Sequence, residues 1–295
     1  MVTTIEVPVV WLQGAACSGC AVSLLNSFSP SIHTVLLREL TPGKHVNLRF
    51  LMTAMAGQGQ QVTDILEDTE ENLPGEYVMV MEGSIQLTDP SFTTIGGKDG
   101  REVPISQKAT DLAKSAMAVV AMGTCAAFGG IPSGQPNPTG AIGIAELLAR
   151  EGIDTPVVNI PGCPPHPDWF VGSLATVMRY GLEAVEVDDI GRPTVFFGQL
   201  IHETCPRRAD FDAGKFAANF GEPGCLYELG CKGPVTYADC PTRMWNSGTN
   251  WCIGAGSPCH GCVEPDFPDR LSPLYRKIDE ERLEQFRLLA ASDSG

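Results

Sequence analysis

The sequence has no excess of positive charge. Its 295 residues include 20 Lys and Arg against 35 Asp and Glu, which gives a formal net charge of -15 at pH 7. A partner with a phosphate backbone needs the opposite sign, so we expect no nucleic acid to bind. No apolar run approaches the length of about 18 residues that crosses a bilayer, so we also expect no membrane span.

Sequence motifs for nucleotide binding and for a serine nucleophile are missing as well. The chain has no G-x-G-x-x-G, no P-loop and no G-x-S-x-G. Its glycine pairs, Gly96-Gly97 and Gly129-Gly130, fit turns better than phosphate cradles. With no substrate site of its own, the chain is expected to serve chemistry located elsewhere.

A secretory leader is not visible either. The first residues, MVTTIEVPVVWLQG, pass into an apolar run with no positively charged region and no cleavage site. We therefore expect a cytoplasmic chain, or a periplasmic one if a leader has been removed. The odd count of 11 cysteines, together with the missing leader, argues against a disulfide framework.

Apolar runs that alternate with helical patterns organise the first part of the chain. Buried strands are predicted at 5–12, 77–83, 117–123 and 156–162. Helical spacing is found at 21–28, 62–73, 106–116, 141–150 and 167–181. The alternation predicts an α/β fold, a doubly wound parallel sheet with helices on both faces. Loops at the carboxyl ends of such strands meet in one crevice.

The pattern changes near Asp188, and we expect domains at 1–187 and 188–295. The second domain has only short apolar pieces among glycines, prolines and cysteines, so it is expected to be largely irregular and to need metal clusters as staples. Its last segment, KIDEERLEQFRLL at 277–289, predicts a charged amphipathic helix at the C-terminus.

Eleven cysteines and one histidine are the candidate metal ligands. The sheet topology brings four of them to one edge as a first site: Cys17, Cys20, Cys125 and Cys163. Glu82 is expected at the same edge. Sequence order groups the remainder into a second site, His202, Cys205, Cys225 and Cys231, and a third site, Cys240, Cys252, Cys259 and Cys262. Three sets of four ligands most naturally hold three cubane iron-sulfur clusters.

Two other interpretations of the cysteines compete with this one. Free cysteines often serve as small buried apolar residues, but apolar packing does not explain paired C-x2-C spacing in glycine-rich loops. Zinc takes the same ligands, so spacing alone does not decide between zinc and iron. A structural zinc protein acting as an interaction scaffold would be colourless and without a redox response. A chain with three clusters and no substrate site would instead transfer electrons.

Six segments give the chain a family resemblance: WLQGAACSGC, GTCAAFGGIP, NIPGCPPHPDW, IHETCPRR, GCLYELGCKGP and CHGCVEPDFP. In content and order they resemble the small subunit of nickel-iron hydrogenases over roughly residues 8–270. The resemblance implies a flavodoxin-like domain with a proximal 4Fe-4S cluster at the first site. It further implies a distal 4Fe-4S cluster at the second site, a medial cluster at the third, and a separate large subunit with the nickel-iron centre.

Three differences within that family bear on this chain. Many relatives have proline in place of Cys252 and a 3Fe-4S medial cluster, so Cys252 implies a 4Fe-4S cluster as in the nickel-iron-selenium branch; if Cys252 does not ligate, the cluster is 3Fe-4S. Oxygen-tolerant relatives carry extra cysteines where this chain has Gly19 and Gly130, which implies a standard, oxygen-sensitive proximal cluster. Ala16 replaces a common glutamate, leaving Ser18 and Glu82 as candidates for a proton relay.

The external electron carrier stays open between two classes. The acidic surface would suit a basic carrier such as a multihaem cytochrome, whereas Arg207, Arg208 and Lys215, near the distal ligands, would suit an acidic ferredoxin. A rival identity is the cluster-bearing subunit of a quinone oxidoreductase. Its related N-terminal domain typically has adjacent cysteines and no second cluster domain, so the C-x2-C pair and residues 202–262 argue against it.

Overall fold

The computed structural model describes residues 4–57, 59–98, 101–279 and 281. The chain divides into two compact units, Met1–Glu186 and Val187–Gly295. Nearly all of the helix predicted at 277–289 lies outside the described residues, so it stays a prediction. No helix in the described ranges is long and apolar enough to cross a membrane.

A parallel sheet forms the centre of the first unit. The described strands of this unit are β1 Ile5–Gln13, β2 Glu39–Thr41, β3 Lys44–Leu51, β4 Val78–Glu82, β5 Ile85–Gln86, β6 Thr94–Lys98, β7 Arg101–Pro104, β8 Ala118–Met122, β9 Ala141–Ile142 and β10 Val157–Ile160. The main sheet has the order β10-β8-β4-β1-β3-β2, with only β2 antiparallel to its neighbour. Its five parallel strands therefore follow the flavodoxin-like order 2-1-3-4-5.

Helices cover both faces of this sheet. They are α1 Gly19–Leu25, α2 Ile32–Leu37, α3 Gln60–Asn72, α4 Ile105–Ser115, α5 Thr124–Phe128, α6 Ile144–Arg150 and α7 Pro167–Tyr180, with 3-10 turns at Pro90–Phe92, Ile131–Ser133 and Leu182–Ala184. Leu12 and Met79 face a core with Leu112 of α4. On the other face, Trp11 packs against Phe170 of α7 with ring centroids 5.3 Å apart. The predicted α/β class is confirmed.

The four predicted strands correspond to β1, β4, β8 and β10, and β3 was not predicted from the sequence. The apolar residues of β3 alternate with His45, Asn47 and Arg49, so no continuous apolar run marks the strand. Its position in the sheet explains the pattern. It lies between β1 and the short edge strand β2, where Val46 and Phe50 are buried while the polar residues between them are half-buried.

The described part of the second unit is built from short helices and turns. Its described helices are α8 Thr194–Phe197, α9 Ile201–Thr204, α10 Arg208–Asp212 and α11 Cys240–Arg243, with 3-10 turns at Tyr227–Leu229 and Gly233–Val235. Its described residues contain isolated β-bridges, such as Leu200 with Tyr237, but no strand. Its buried apolar side chains, such as Phe197, Leu226 and Leu271, are spread over these short elements and the loops between them. Other interactions therefore help to stabilise the unit.

One of those interactions is a buried ion cluster around Arg192, which is 5% exposed. Its Nε donates to Asp188 at 2.8 Å and its Nη1 donates to Glu264 at 3.1 Å. Glu264 also accepts the backbone N–H of Tyr237 at 2.7 Å. Burial raises the pKa of Glu264, and the charge of Arg192 opposes that shift. The cluster ties the beginning of the unit to the segment that follows Cys262.

Substitution of Arg192 tests the importance of this cluster. Arg192→Met leaves two carboxylates without their cation, and we expect it to lower the free energy of unfolding of the second unit by about 3–5 kcal/mol. Arg270→Met is the matched control, because it removes another i,i+4 pair, with Asp266, on a side chain that is 69% exposed; we expect it to cost under about 1 kcal/mol. Urea unfolding measures both, and equal effects would contradict the prediction.

Candidate metal centres

The first set of thiols lies at the carboxyl edge of the main sheet. Cys17 and Cys20 follow β1, Cys125 lies in α5 directly after β8, and Cys163 follows β10. Burial, then the charge of Glu82, and then the other three thiols of the set raise the pKa of Cys20. Burial, followed by Cys163, raises the pKa of Cys125 to about 11. Thiols affect one another's pKa in this way only when they lie close together. The four predicted cysteines are therefore near one another in the structure.

Two glycines leave space around these thiols. At Gly123, with φ +93, an added Cβ would lie 2.5 Å from Cys20 Sγ. At Gly130, with φ +54, it would lie 2.9 Å from the Cys125 backbone and 3.0 Å from its Sγ. Both backbone conformations favour glycine. A single methyl group added at either glycine would therefore occupy part of the space around the thiols of the first site.

Glu82 holds the turn between the first two thiols. It is 1% exposed at the end of β4. Its Oε2 accepts from Trp11 Nε1 and Gln13 Nε2, both at 2.9 Å. Its Oε1 accepts the backbone N–H groups of Cys20 at 3.1 Å and of Ala21 at 3.3 Å. The carboxylate thus fixes the first turn of α1 against β1, on which the position of Cys20 depends.

The proton-relay roles of Glu82 and Ser18 stay predictions. Four donors already engage the Glu82 carboxylate, which supports a holding role. Ser18 precedes α1 in the left-handed region, with φ 62, and its side chain makes no cap hydrogen bond to that helix. Its backbone oxygen accepts the N–H of Val22 at 3.0 Å.

The second set of ligands lines one cleft. His202, Cys205, Cys225 and Cys231 surround about 280 Å³ of empty space, part of it open to solvent. Burial raises the pKa of all three thiols, that of Cys231 to about 11. Burial and then the charge of Arg208 lower the pKa of His202, which favours the neutral imidazole that binds metal.

The third set also comes together. Burial, then Cys262 and then Cys252, raise the pKa of Cys240 well above its usual range. Burial, then the charge of Cys231 of the second set, and then that of Cys262, raise the pKa of the Cys259 thiol well above its usual range. In addition, the backbone N–H of Lys232 donates to the carbonyl oxygen of Cys259 at 2.8 Å. The second and third sites are therefore neighbours within the second unit.

The donor sets fit multi-iron clusters. Within the described ranges, no three His, Cys, Asp or Glu side chains form a group that could hold one metal ion. A four-iron cluster binds each ligand on a different iron, so four ligands around a larger space suit it. Burial disfavours the thiolate form that a metal requires, and positive iron would offset that cost. Cluster binding would therefore stabilise the fold.

Some residues around these sites were not anticipated from the sequence. Trp11 and Gln13 bind Glu82, and Phe211 packs against His202. Gln13 could have been found, because it ends β1 opposite Glu82 at the end of β4. Nothing local in the sequence marks Trp11 or Phe211, since an aromatic residue near a ligand is more often core.

Each of the two units contains a segment that matches a known protein family. Residues 197–275 match the family that describes the C-terminal part of the NiFe/NiFeSe hydrogenase small subunit. Residues 17–177 match the NADH ubiquinone oxidoreductase 20 kDa subunit family. The second match recovers the relation to quinone oxidoreductases, and the first separates this chain from them, because it covers the cysteine-rich second unit.

Individual relatives agree over nearly the whole chain. The periplasmic [NiFeSe] hydrogenase small subunit of Desulfomicrobium baculatum is 43% identical over 92% of this chain and 87% of its own length. The periplasmic [NiFe] hydrogenase small subunit 1 of Nitratidesulfovibrio vulgaris is 40% identical over 90% of this chain and 81% of its own length. The reduced, active Ni-Fe-Se hydrogenase structure from Desulfomicrobium baculatum matches with a TM-score of 0.88 and 42% identity, covering 92% of this chain and 100% of that chain.

The chain therefore belongs to the NiFe and NiFeSe hydrogenase small-subunit family and is part of a hydrogenase. The expectation of a cytoplasmic chain is wrong, because similar small subunits, including those of Desulfomicrobium baculatum and Nitratidesulfovibrio vulgaris, are periplasmic. The error arose from the first residues, which carry no information about whether a leader preceded them.

The space beside Cys20 gives a direct test of the first site. Gly123→Ala places a methyl group against Cys20 Sγ, and we expect it to lower the iron bound per chain by about four atoms, the content of one cubane. Gly152→Ala is the matched control, because Gly152 also has a positive φ, +66, but nothing lies within 4 Å of its added Cβ. Iron analysis of the purified proteins measures the effect. Full iron content in Gly123→Ala would contradict the assignment.

Proposed function

We propose that the chain relays electrons through three iron-sulfur clusters between the nickel-iron centre of a partner large subunit and an external carrier. The observation that carries the proposal is that members of each predicted set either raise one another's pKa or line one cleft. The relatives' names support the hydrogenase context. When bound, the clusters would supply one-electron storage at each site.

In this proposal the three sets hold 4Fe-4S clusters, in the domains expected at 1–187 and 188–295. The proximal ligands are Cys17, Cys20, Cys125 and Cys163. The distal ligands are His202, Cys205, Cys225 and Cys231. The medial ligands are Cys240, Cys252, Cys259 and Cys262. Histidine is a neutral ligand, so its presence makes the distal cluster less negative and raises its potential, which favours that cluster as the last electron store.

Exposed apolar residues around the first site support a covering partner there. Val22, Leu25 and Phe28, in and just after α1, are 55%, 60% and 73% exposed, and Ile131, in the loop after Cys125, is 56% exposed. Cys17 is exposed as well. Large apolar side chains around an open thiol site are typical of a protein interface. We place the hydrogenase large subunit on this surface.

The basic residues near the second site are already engaged. Arg208 Nε pairs with Asp212 at 2.9 Å, and Lys215 pairs with Asp210 at 3.5 Å. Arg207 donates to the carbonyl oxygen of Gly224 at 2.7 Å. These contacts weaken the argument for an acidic ferredoxin and favour a basic carrier such as a cytochrome, given the net charge of -15.

Metal analysis of anaerobically purified protein tests the proposal. Three cubanes predict about twelve irons and about twelve acid-labile sulfides per small subunit. The oxidised sample should then show no EPR signal from a 3Fe-4S centre. Zinc in place of iron would overturn the electron-transfer proposal and favour the structural scaffold.

Cys252 has a prediction of its own. Cys252→Ala removes one medial ligand, and we expect the chain to lose about one iron as the cluster becomes 3Fe-4S. The oxidised variant should gain the corresponding EPR signal. Ser247→Ala, on an exposed residue of the same loop, is the control and should leave iron and EPR unchanged. If Cys252→Ala keeps all of its iron and shows no new signal, Cys252 is not a ligand.

A further inference from the structure

The imidazole of His202 has no hydrogen-bonding support from the protein. Across the described residues, neither of its ring nitrogens has a hydrogen-bond partner, and only burial and nearby charges act on its pKa. Histidine ligands of metals nearly always donate their second ring N–H to a carboxylate, a carbonyl or water, and that bond fixes the ring orientation. No such acceptor comes from the described residues, so the protein's own hold on the half-buried ring comes from packing.

Phe211 makes the close ring contact to His202. The two centroids lie 4.5 Å apart with an interplanar angle of 85°, an edge-to-face pair. This is a favoured arrangement of aromatic rings, because the positive edge of one ring meets the negative face of the other. Phe211 lies in α10, which follows the Cys205 turn, so the contact closes the segment that carries both His202 and Cys205.

Phe211 is itself held by two further rings. Phe216 lies 5.9 Å away at 83°, and Tyr227 lies 5.4 Å away at 83°. Tyr227 is buried, and Lys277 Nζ lies over its ring, 5.0 Å from the centroid. Tyr227 follows Cys225 by two residues. The ring cluster therefore joins the His202 segment to the cysteine segment across the cleft.

We propose that Phe211 is a positioning residue that holds the His202 ring at the distal site in place of a hydrogen bond from the protein. The inference rests on the proposed function, in which His202 is a cluster ligand. Without the Phe211 ring, the half-buried imidazole is free to turn toward water. The distal cluster would then lose its nitrogen ligand more readily than its thiolates.

Three substitutions separate this role from general packing. Phe211→Leu keeps an apolar side chain but removes the ring beside His202. Phe216→Leu is the matched control, since Phe216 belongs to the same ring cluster and its ring contacts are with Phe211 and Tyr227. Phe211→Tyr keeps the ring and should behave as the natural chain does.

The experiment uses the anaerobic heterodimer with its distal cluster reduced. Pulsed EPR measures the ¹⁴N hyperfine coupling of the histidine, and an iron chelator measures the rate of iron loss. We expect Phe211→Leu to lose the ¹⁴N coupling and to release distal iron about 10-fold faster, the scale seen for residues that orient metal ligands. Phe211→Tyr should change neither reading. Phe216→Leu removes one of the two rings against Phe211 but not the ring against His202, so it should change both readings clearly less than Phe211→Leu does.

The outcomes distinguish the inference from the proposed function. Absence of ¹⁴N coupling in the unsubstituted protein would show that His202 is not a ligand, and both would fail. Coupling in the unsubstituted protein that persists in Phe211→Leu, with an unchanged rate of iron loss, would overturn the role of Phe211 alone. Equal losses in Phe211→Leu and Phe216→Leu would also overturn it, because they would show general packing.

Discussion

Desolvation of thiols is the constraint on which both units depend. Burial raises the pKa of nine of the eleven cysteines. Within each set, neighbouring thiols add to that effect, as they do at Cys20 and Cys240. A thiolate in such a place needs positive charge beside it. Iron would supply that charge at all three sites, so cofactor binding and folding are coupled in this account.

The two units meet this constraint differently. In the first unit, an extensive apolar core fixes the ends of parallel strands, and Glu82 ties the Cys20 turn to that frame. Its site is a cradle on a fold that has its own stability. In its described residues the second unit has short helices and turns, and the buried Arg192 cluster and the rings beside His202 help to hold it together. We infer that it would depend more strongly on the proposed clusters.

The sequence predicted the strands that position the first site, because continuous apolar runs mark strands buried on both faces. It did not predict β3, whose apolar residues alternate with His45, Asn47 and Arg49. The grouping of cysteines could be predicted from order and topology, and it stays a prediction that the mutual effects of the thiols on their pKa values support. The contacts of Trp11 with Glu82 and of Phe211 with His202 could not, since they depend on residues distant in the chain or on ring orientation. The cellular compartment was predicted wrongly, because the relatives indicate it and the first residues of the chain do not.

The most direct test of the central claim is whether electrons from hydrogen reach the small-subunit clusters. The measurement is rapid-freeze EPR of the oxidised, anaerobic heterodimer after mixing with hydrogen. The account predicts reduced-cluster signals that require hydrogen, with interacting spins from the neighbouring second and third sites once both are reduced. A protein that consumes hydrogen while its small-subunit iron stays oxidised would contradict the relay.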